Sequence, residues 1–259
     1  MCSIESEGFK EFLDEKVRLY NNRNFIETDP IQIPHLFSKK EDIEIAGFLA
    51  ATIAWGQRKS IISNAKKLVT MMDMEPYAFV IDASKKDRAP FRKFVHRTFN
   101  GYDCEFFLES LQYLYKTYGD LETAFTKDLA KKDRTAMNAI CRFRERFFSI
   151  NYPSRTEKHV SNPASGSSAK RLCMYLRWMV RRDKQGVDFG IWNQLSPAGL
   201  SLPLDVHTGN ISRKLGLLER KQNDWKAVEE VTEKLRKMDP KDPVKYDFAL
   251  FGLGAFEKF

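Results

Sequence analysis

Apolar residues recur at three- and four-residue spacings along almost the whole 259-residue chain, and no stretch alternates convincingly at a period of two. A chain with that pattern folds by packing helices, each burying one face. From residue 5 to 20 the spaced positions are Phe9, Phe12, Leu13, Val17 and Leu19. Ser38-Lys39-Lys40-Glu41 reads as a capping box, followed by Ile43, Ile45, Ala46, Phe48, Leu49 and Ile53. A turn is expected at Trp55-Gly56-Gln57, then a helix through Ile61, Ala65, Leu68 and Met72. Phe106, Phe107, Leu111, Leu114 and Tyr118 predict another, and Ala136 to Phe148 one more.

Two stretches interrupt the helical period. Residues 151–169 carry Pro153, Pro163, Gly166 and several serines, and residues 183–203 carry Gly186, Pro197 and Gly199. Between them 168–182 reads as a helix. Three helical segments, near 206–215, 224–237 and 243–255, complete the chain. Asp224 is placed to cap the second and Asp242 the third, with Pro243 in its first turn. The expected class is all-α.

Composition narrows the class further. Lys and Arg number 43 against 35 Asp and Glu, a net charge of +8, with 42% hydrophobic residues. That excludes a disordered or collagen-like chain. No apolar run approaches the ~20 residues of a membrane helix. Residues 1–7 show no basic region followed by an apolar stretch, so a cytoplasmic protein is expected. Cys2, Cys104, Cys141 and Cys173 lie far apart and are read as buried free thiols.

Two motifs carry chemistry. Asn162-Pro163-Ala164-Ser165-Gly166-Ser167-Ser168-Ala169-Lys170-Arg171 is a small-residue turn entering a helix, where backbone N–H groups can meet a phosphate. Leu202-Pro203-Leu204-Asp205-Val206-His207 runs from an apolar stretch into a helix, and continues through Arg213 to Leu215-Gly216-Leu217-Leu218. By itself Asp205 there reads as an N-cap.

Together these motifs resemble the helix-hairpin-helix (HhH-GPD) DNA glycosylase superfamily. That family has a hairpin with a small-residue turn, a lysine just inside the next helix, and a later aspartate helix start. Here the lysine position falls on Lys170, the hairpin positions on Gly166 and Ser168, and the aspartate and histidine on Asp205 and His207. The likeness is to a bacterial branch, with some similarity to archaeal 8-oxoguanine DNA glycosylases. It covers roughly residues 160–259. The usual Gly-x-Gly turn reads Gly166-Ser167-Ser168. The four-cysteine loop of many members is missing, with Phe256 near its first position, so no iron–sulfur cluster is expected, nor any other cofactor or metal.

The resemblance implies two helical subdomains, 41–202 and 1–40 plus 203–259, with Lys170 and Asp205 facing each other across a cleft. It implies a monomeric enzyme of base excision, acting on duplex DNA that contains a damaged base, an oxidised purine above all. Lys170 is then the nucleophile of an abasic-site lyase, and Asp205 stabilises an oxocarbenium-like transition state. An ordinary lysine amine is protonated at neutral pH, so such a nucleophile needs surroundings that disfavour its charge. Gly166, Ser167, Ser168, Ala169 and His207 would contact the DNA backbone. The target base must leave the stack. Gln57 is a candidate wedge with Arg58 beside it, and Phe189 and Trp192 are candidate pocket walls. The alternatives are a non-catalytic DNA-binding or damage-sensing module and a helical protein-interaction domain.

Other residues read as structure. Trp178 and Trp225 sit at helical spacing among apolar neighbours, as core residues do. Arg181-Arg182 and Lys66-Lys67 read as solvated helix faces. Asp239, Asp242 and Asp247 show no metal-site spacing.

Overall fold

In the computed structural model, which describes residues 7–257 and 259, the helical period becomes thirteen α-helices. They are α1 (Glu7–Tyr20), α2 (Asn24–Thr28), α3 (Lys40–Thr52), α4 (Arg58–Thr70), α5 (Pro76–Asp82), α6 (Lys85–Arg88) and α7 (Gly101–Tyr118). After these come α8 (Leu121–Thr126), α9 (Ala136–Phe147), α10 (Lys170–Val180), α11 (Val206–Lys214), α12 (Trp225–Met238) and α13 (Tyr246–Ala255). Among the described residues the only sheet is a two-stranded hairpin, β1 (Val95–His96) and β2 (Phe99–Asn100). The mostly helical fold agrees with the expected class. The hairpin does not, because two residues per strand are too few to display alternation. No helix of the described residues is long and apolar enough to cross a membrane.

The chain divides into two compact units. The first comprises 1–25, 131–138 and 162–259, and the second 26–130 and 139–161. These bounds differ from the expected division at 202, since 162–202 groups with 203–259.

The second unit is built around α3, in which every residue from Ile43 to Thr52 is buried. Phe48 packs its ring against Phe107, Phe143 and Phe147, and Phe143 stacks on Phe125 with centroids 4.0 Å apart. Each such buried ring contributes on the order of 2 kcal/mol by leaving water. Buried Glu44 accepts from the Tyr115 hydroxyl at 2.7 Å and the Leu121 N–H at 3.2 Å, so its carboxylate is satisfied inside the unit. The capping box expected at Ser38 does not form. The helix starts one residue later, with Lys39 as N-cap and no side-chain cap bond. The ammonium of Lys40 is instead drawn to Asp120 at 2.8 Å and Glu122 at 3.3 Å.

The first unit packs α1 against α13. Their contact is close because Gly252 has no side chain: a Cβ there would stand 2.0 Å from Cδ2 of Tyr20. Phe25 sets its ring edge against Phe248 and Phe251. Trp178 and Trp225 are buried, as read from their spacing.

Arg181 corrects the sequence reading. It is 3% exposed, not solvated, and its guanidinium meets Asp183 at 2.7 Å, Asp242 at 2.9 Å and Asp188 at 3.0 Å. These carboxylates hold its charge firmly, against the opposing effect of burial. Asp242, expected to cap the last helix, makes no side-chain cap bond because it serves Arg181. The last segment opens as a 3-10 turn, Pro243–Lys245, before α13. Cys104 and Cys173 are buried free thiols and Cys141 is only half-buried. Cys2 lies outside the described residues.

Candidate functional site

The turn ahead of α10 starts with a 3-10 segment, Pro163–Ser165, capped by Asn162, whose carboxamide oxygen accepts from the Ala164 N–H at 3.0 Å. Gly166 follows with φ +88°, a left-handed conformation that glycine adopts without a Cβ penalty. Ala169, the N-cap of α10, is also left-handed at φ 45° and ψ 34°. Two left-handed residues three apart fold the chain back so that the helix begins at Lys170. The stretch before this turn carries short 3-10 segments, Ser154–His159 and Pro163–Ser165, rather than an α-helix.

Most of the N–H groups expected to meet a phosphate are used within the turn. Gly166 donates to the Pro163 carbonyl at 2.9 Å, Ser167 to the Asn162 carbonyl at 3.3 Å, and Ala169 to Ser167 Oγ at 3.2 Å. Ser168 is the one of the four whose N–H is not committed among the described residues.

Asp205 is the N-cap of α11, as its place in the sequence predicts. Its Oδ1 accepts from the Thr208 N–H at 2.9 Å. Its Oδ2 stands 3.7 Å from Nζ of Lys170. One carboxylate therefore caps a helix with one oxygen and faces the lysine with the other. Both side chains are accessible, at 28% for Lys170 and 30% for Asp205. Both lie in the first unit, rather than in different subdomains.

The segment before α12 connects the two motifs. The Asn223 carboxamide donates to the Asp205 carbonyl at 3.1 Å, and accepts from Arg213 at 2.7 Å. Arg213 also donates to the carbonyls of Arg220 at 2.8 Å and Lys221 at 2.9 Å. Two residues beyond Asn223, the Trp225 N–H donates to the Gly166 carbonyl at 3.0 Å, and Ser167 pairs with Asp224 as an isolated bridge. Asp224 caps α12 as expected, accepting from the Ala227 N–H at 3.1 Å. Residues 223–225 thus hold the segment leading to Asp205 and the turn leading to Lys170 at once. Sequence reasoning takes Arg213 as part of a motif and misses Asn223, because no spacing announces a carboxamide that reaches 18 residues back.

Asp247 is a second residue missed. It is buried and receives a hydrogen bond from Arg177. Arg177 also donates to Asp188 at 3.2 Å. Burial pushes the Asp247 carboxyl up to about 6; the positive charges of Arg177 and Lys170 oppose this, and the charge of Asp205 adds to it. Asp247 is thereby coupled electrostatically to the Lys170–Asp205 pair.

The remaining candidates are dispersed. His207 is exposed on the first turn of α11. Trp192 is 2% exposed with its ring edge on Tyr175, and Phe189 is half-buried with its N–H on the Trp178 carbonyl at 2.8 Å. Gln57, exposed, is the N-cap of α4 and Arg58 its first residue, both in the second unit. Among the described residues no group of three or more His, Cys, Asp or Glu side chains is arranged to hold a metal ion.

No curated protein and no solved structure matches the chain. A family model does, along residues 29–256, and the chain belongs to that family, described as protein of unknown function (DUF2400).

Proposed function

We propose that the protein is a DNA glycosylase with abasic-site lyase activity, excising a damaged base, an oxidised purine by preference, from duplex DNA. The observation that carries this reading is the 3.7 Å approach of Lys170 Nζ to Asp205 Oδ2 on two accessible side chains. The motifs that resemble the helix-hairpin-helix glycosylases supply these same two residues.

The chemistry rests on the pair. Once its ammonium proton has been given up to a general base, the Lys170 amine attacks C1′ of the damaged nucleotide. The C1′–N bond breaks with its electron pair leaving on the base, and the Asp205 carboxylate stabilises the positive charge that develops on the sugar. The C1′–O4′ bond then opens, the amine's two protons having passed to the departed base and to O4′, and a Schiff base joins Lys170 to C1′. Loss of a C2′ proton then expels the 3′ phosphate. The Ser168 N–H and the first turn of α10 face a phosphate with the positive end of a helix.

Borohydride trapping tests this. The protein is mixed with duplexes carrying 8-oxoguanine, other lesions or an abasic site, reduced, and examined for a covalent protein–DNA band. A band lost in Lys170→Ala supports the lyase. Base release without a band leaves a monofunctional glycosylase resting on Asp205. The absence of both a band and base release with every duplex overturns the reading.

A further inference from the structure

The hairpin of the second unit holds a residue in a conformation that its backbone disfavours. Val95 pairs with Asn100 and His96 with Phe99, which leaves Arg97 and Thr98 as a two-residue loop. Arg97 has φ +55°, while Thr98 is not left-handed. A two-residue hairpin loop with positive φ at its first position is the kind glycine fills best. Arginine there carries a backbone cost that glycine would not.

That side chain is not spent on a polar partner. Arg97 is exposed, and its guanidinium makes no hydrogen bond or ion pair among the described residues. It lies over Gly56, where a Cβ would stand 3.0 Å from Arg97 Cδ and 3.1 Å from Nη1. Glycine at 56 thus leaves room for the guanidinium on the turn that carries Gln57 and Arg58. Buried His96 ties the hairpin to that turn: its Nε2 is 3.1 Å from the Trp55 carbonyl oxygen and its Nδ1 3.0 Å from Asn64 Nδ2. On the loop's other member, exposed Arg155 donates to the Thr98 carbonyl at 3.1 Å while pairing with buried Asp103 at 2.9 Å. Exposed Lys59 and Lys93 lie near these residues in the sequence.

We propose that Arg97, presented by the hairpin tip over Gly56, is a phosphate contact of a duplex-DNA-binding surface on the second unit, with Gln57 and Arg58 beside it. This rests on the DNA-binding half of the proposed function and not on the chemistry at Lys170. A guanidinium offers a planar fork of donors that fits a phosphate, and neutralising a phosphate releases condensed counterions.

The test is binding of a short undamaged duplex to the full chain, followed by fluorescence anisotropy across a salt series, with thermal unfolding alongside. Arg97→Ala and Arg97→Gly are expected to weaken binding about tenfold near ~0.1 M salt and to lower the salt slope by about 1. Arg97→Lys keeps the slope. Arg97→Gly unfolds at a midpoint no lower than wild type, because glycine accepts the left-handed backbone. Unchanged affinity and slope in the alanine and glycine variants overturn the proposal, as does a wild-type protein that binds no duplex. A glycine variant that loses binding together with thermal stability, while the lysine variant is equally weak, overturns it too by assigning Arg97 a structural role. Arg97-dependent binding without base release or trapping retains this surface and removes the catalytic reading.

Discussion

The Asn223 carboxamide donates to the main-chain carbonyl of Asp205, 18 residues earlier, at 3.1 Å. Its oxygen is held in turn by Arg213, and Gly209 leaves the space it occupies: a Cβ on Gly209 would stand 2.7 Å from Asn223 Oδ1. Asn223 is thus a positioning residue for the aspartate. Asn223→Ala is expected to cost about 2 kcal/mol in urea unfolding, the net worth of its two hydrogen bonds. It should lower Lys170-dependent trapping about ten- to hundredfold, since small misplacements of reacting groups are expensive in rate. Asn223→Asp still accepts from Arg213 but cannot donate, and should lose as much trapping.

Asp205 divides its two oxygens between a helix and a lysine, so the two duties can be separated by substitution. Asp205→Asn keeps an oxygen able to accept from the Thr208 N–H and removes the charge. Its unfolding free energy should stay within ~0.5 kcal/mol of wild type, whereas Asp205→Ala loses about 1 kcal/mol with the cap. Both should release base about a hundredfold more slowly, or worse. Equal base release by the asparagine variant and wild type would leave Asp205 a helix cap and nothing more.

Asp247 gives a pH signature. Its folded value of about 6, raised chiefly by burial, exceeds the ~3.9 of an unfolded aspartate. Between those values the native state binds the extra proton. Its stabilising contribution is therefore complete below pH ~4 and is lost as pH rises through about 6. Asp247→Asn is neutral throughout and can still accept from Arg177. The stability of wild type relative to this variant should fall by about 3 kcal/mol across that window, measured as denaturant unfolding at a series of pH values.

Local periodicity is enough to place α1, α3, α4, α7, α9, α10 and α12 within a few residues, and the side-chain caps at Asp205 and Asp224 are legible from the helical spacing of the residues after them. These features depend on neighbours within one or two turns. The hairpin at 95–100 escapes because its two-residue strands carry no period. Arg181 looks like a solvated arginine until chain distant in sequence supplies Asp242. Asp247 and Asn223 escape for the same reason: each acquires its role from residues beyond its own helical turn, 70 positions away for Asp247 and 10 and 18 for Asn223. Lys170 and Asp205 are legible only as parts of motifs; their separation of 3.7 Å is a product of the turn at 162–169 and the 223–225 segment.

The ring of Tyr20 lying on the bare backbone of Gly252 bears on where this protein can be cut. The family match begins at residue 29, beyond the end of α1. A polypeptide trimmed to that limit would strip the wall from α13 and open a ring-sized trench along the helix nearest the chain's end. The smallest piece that preserves the first unit therefore includes a segment that the family boundary omits.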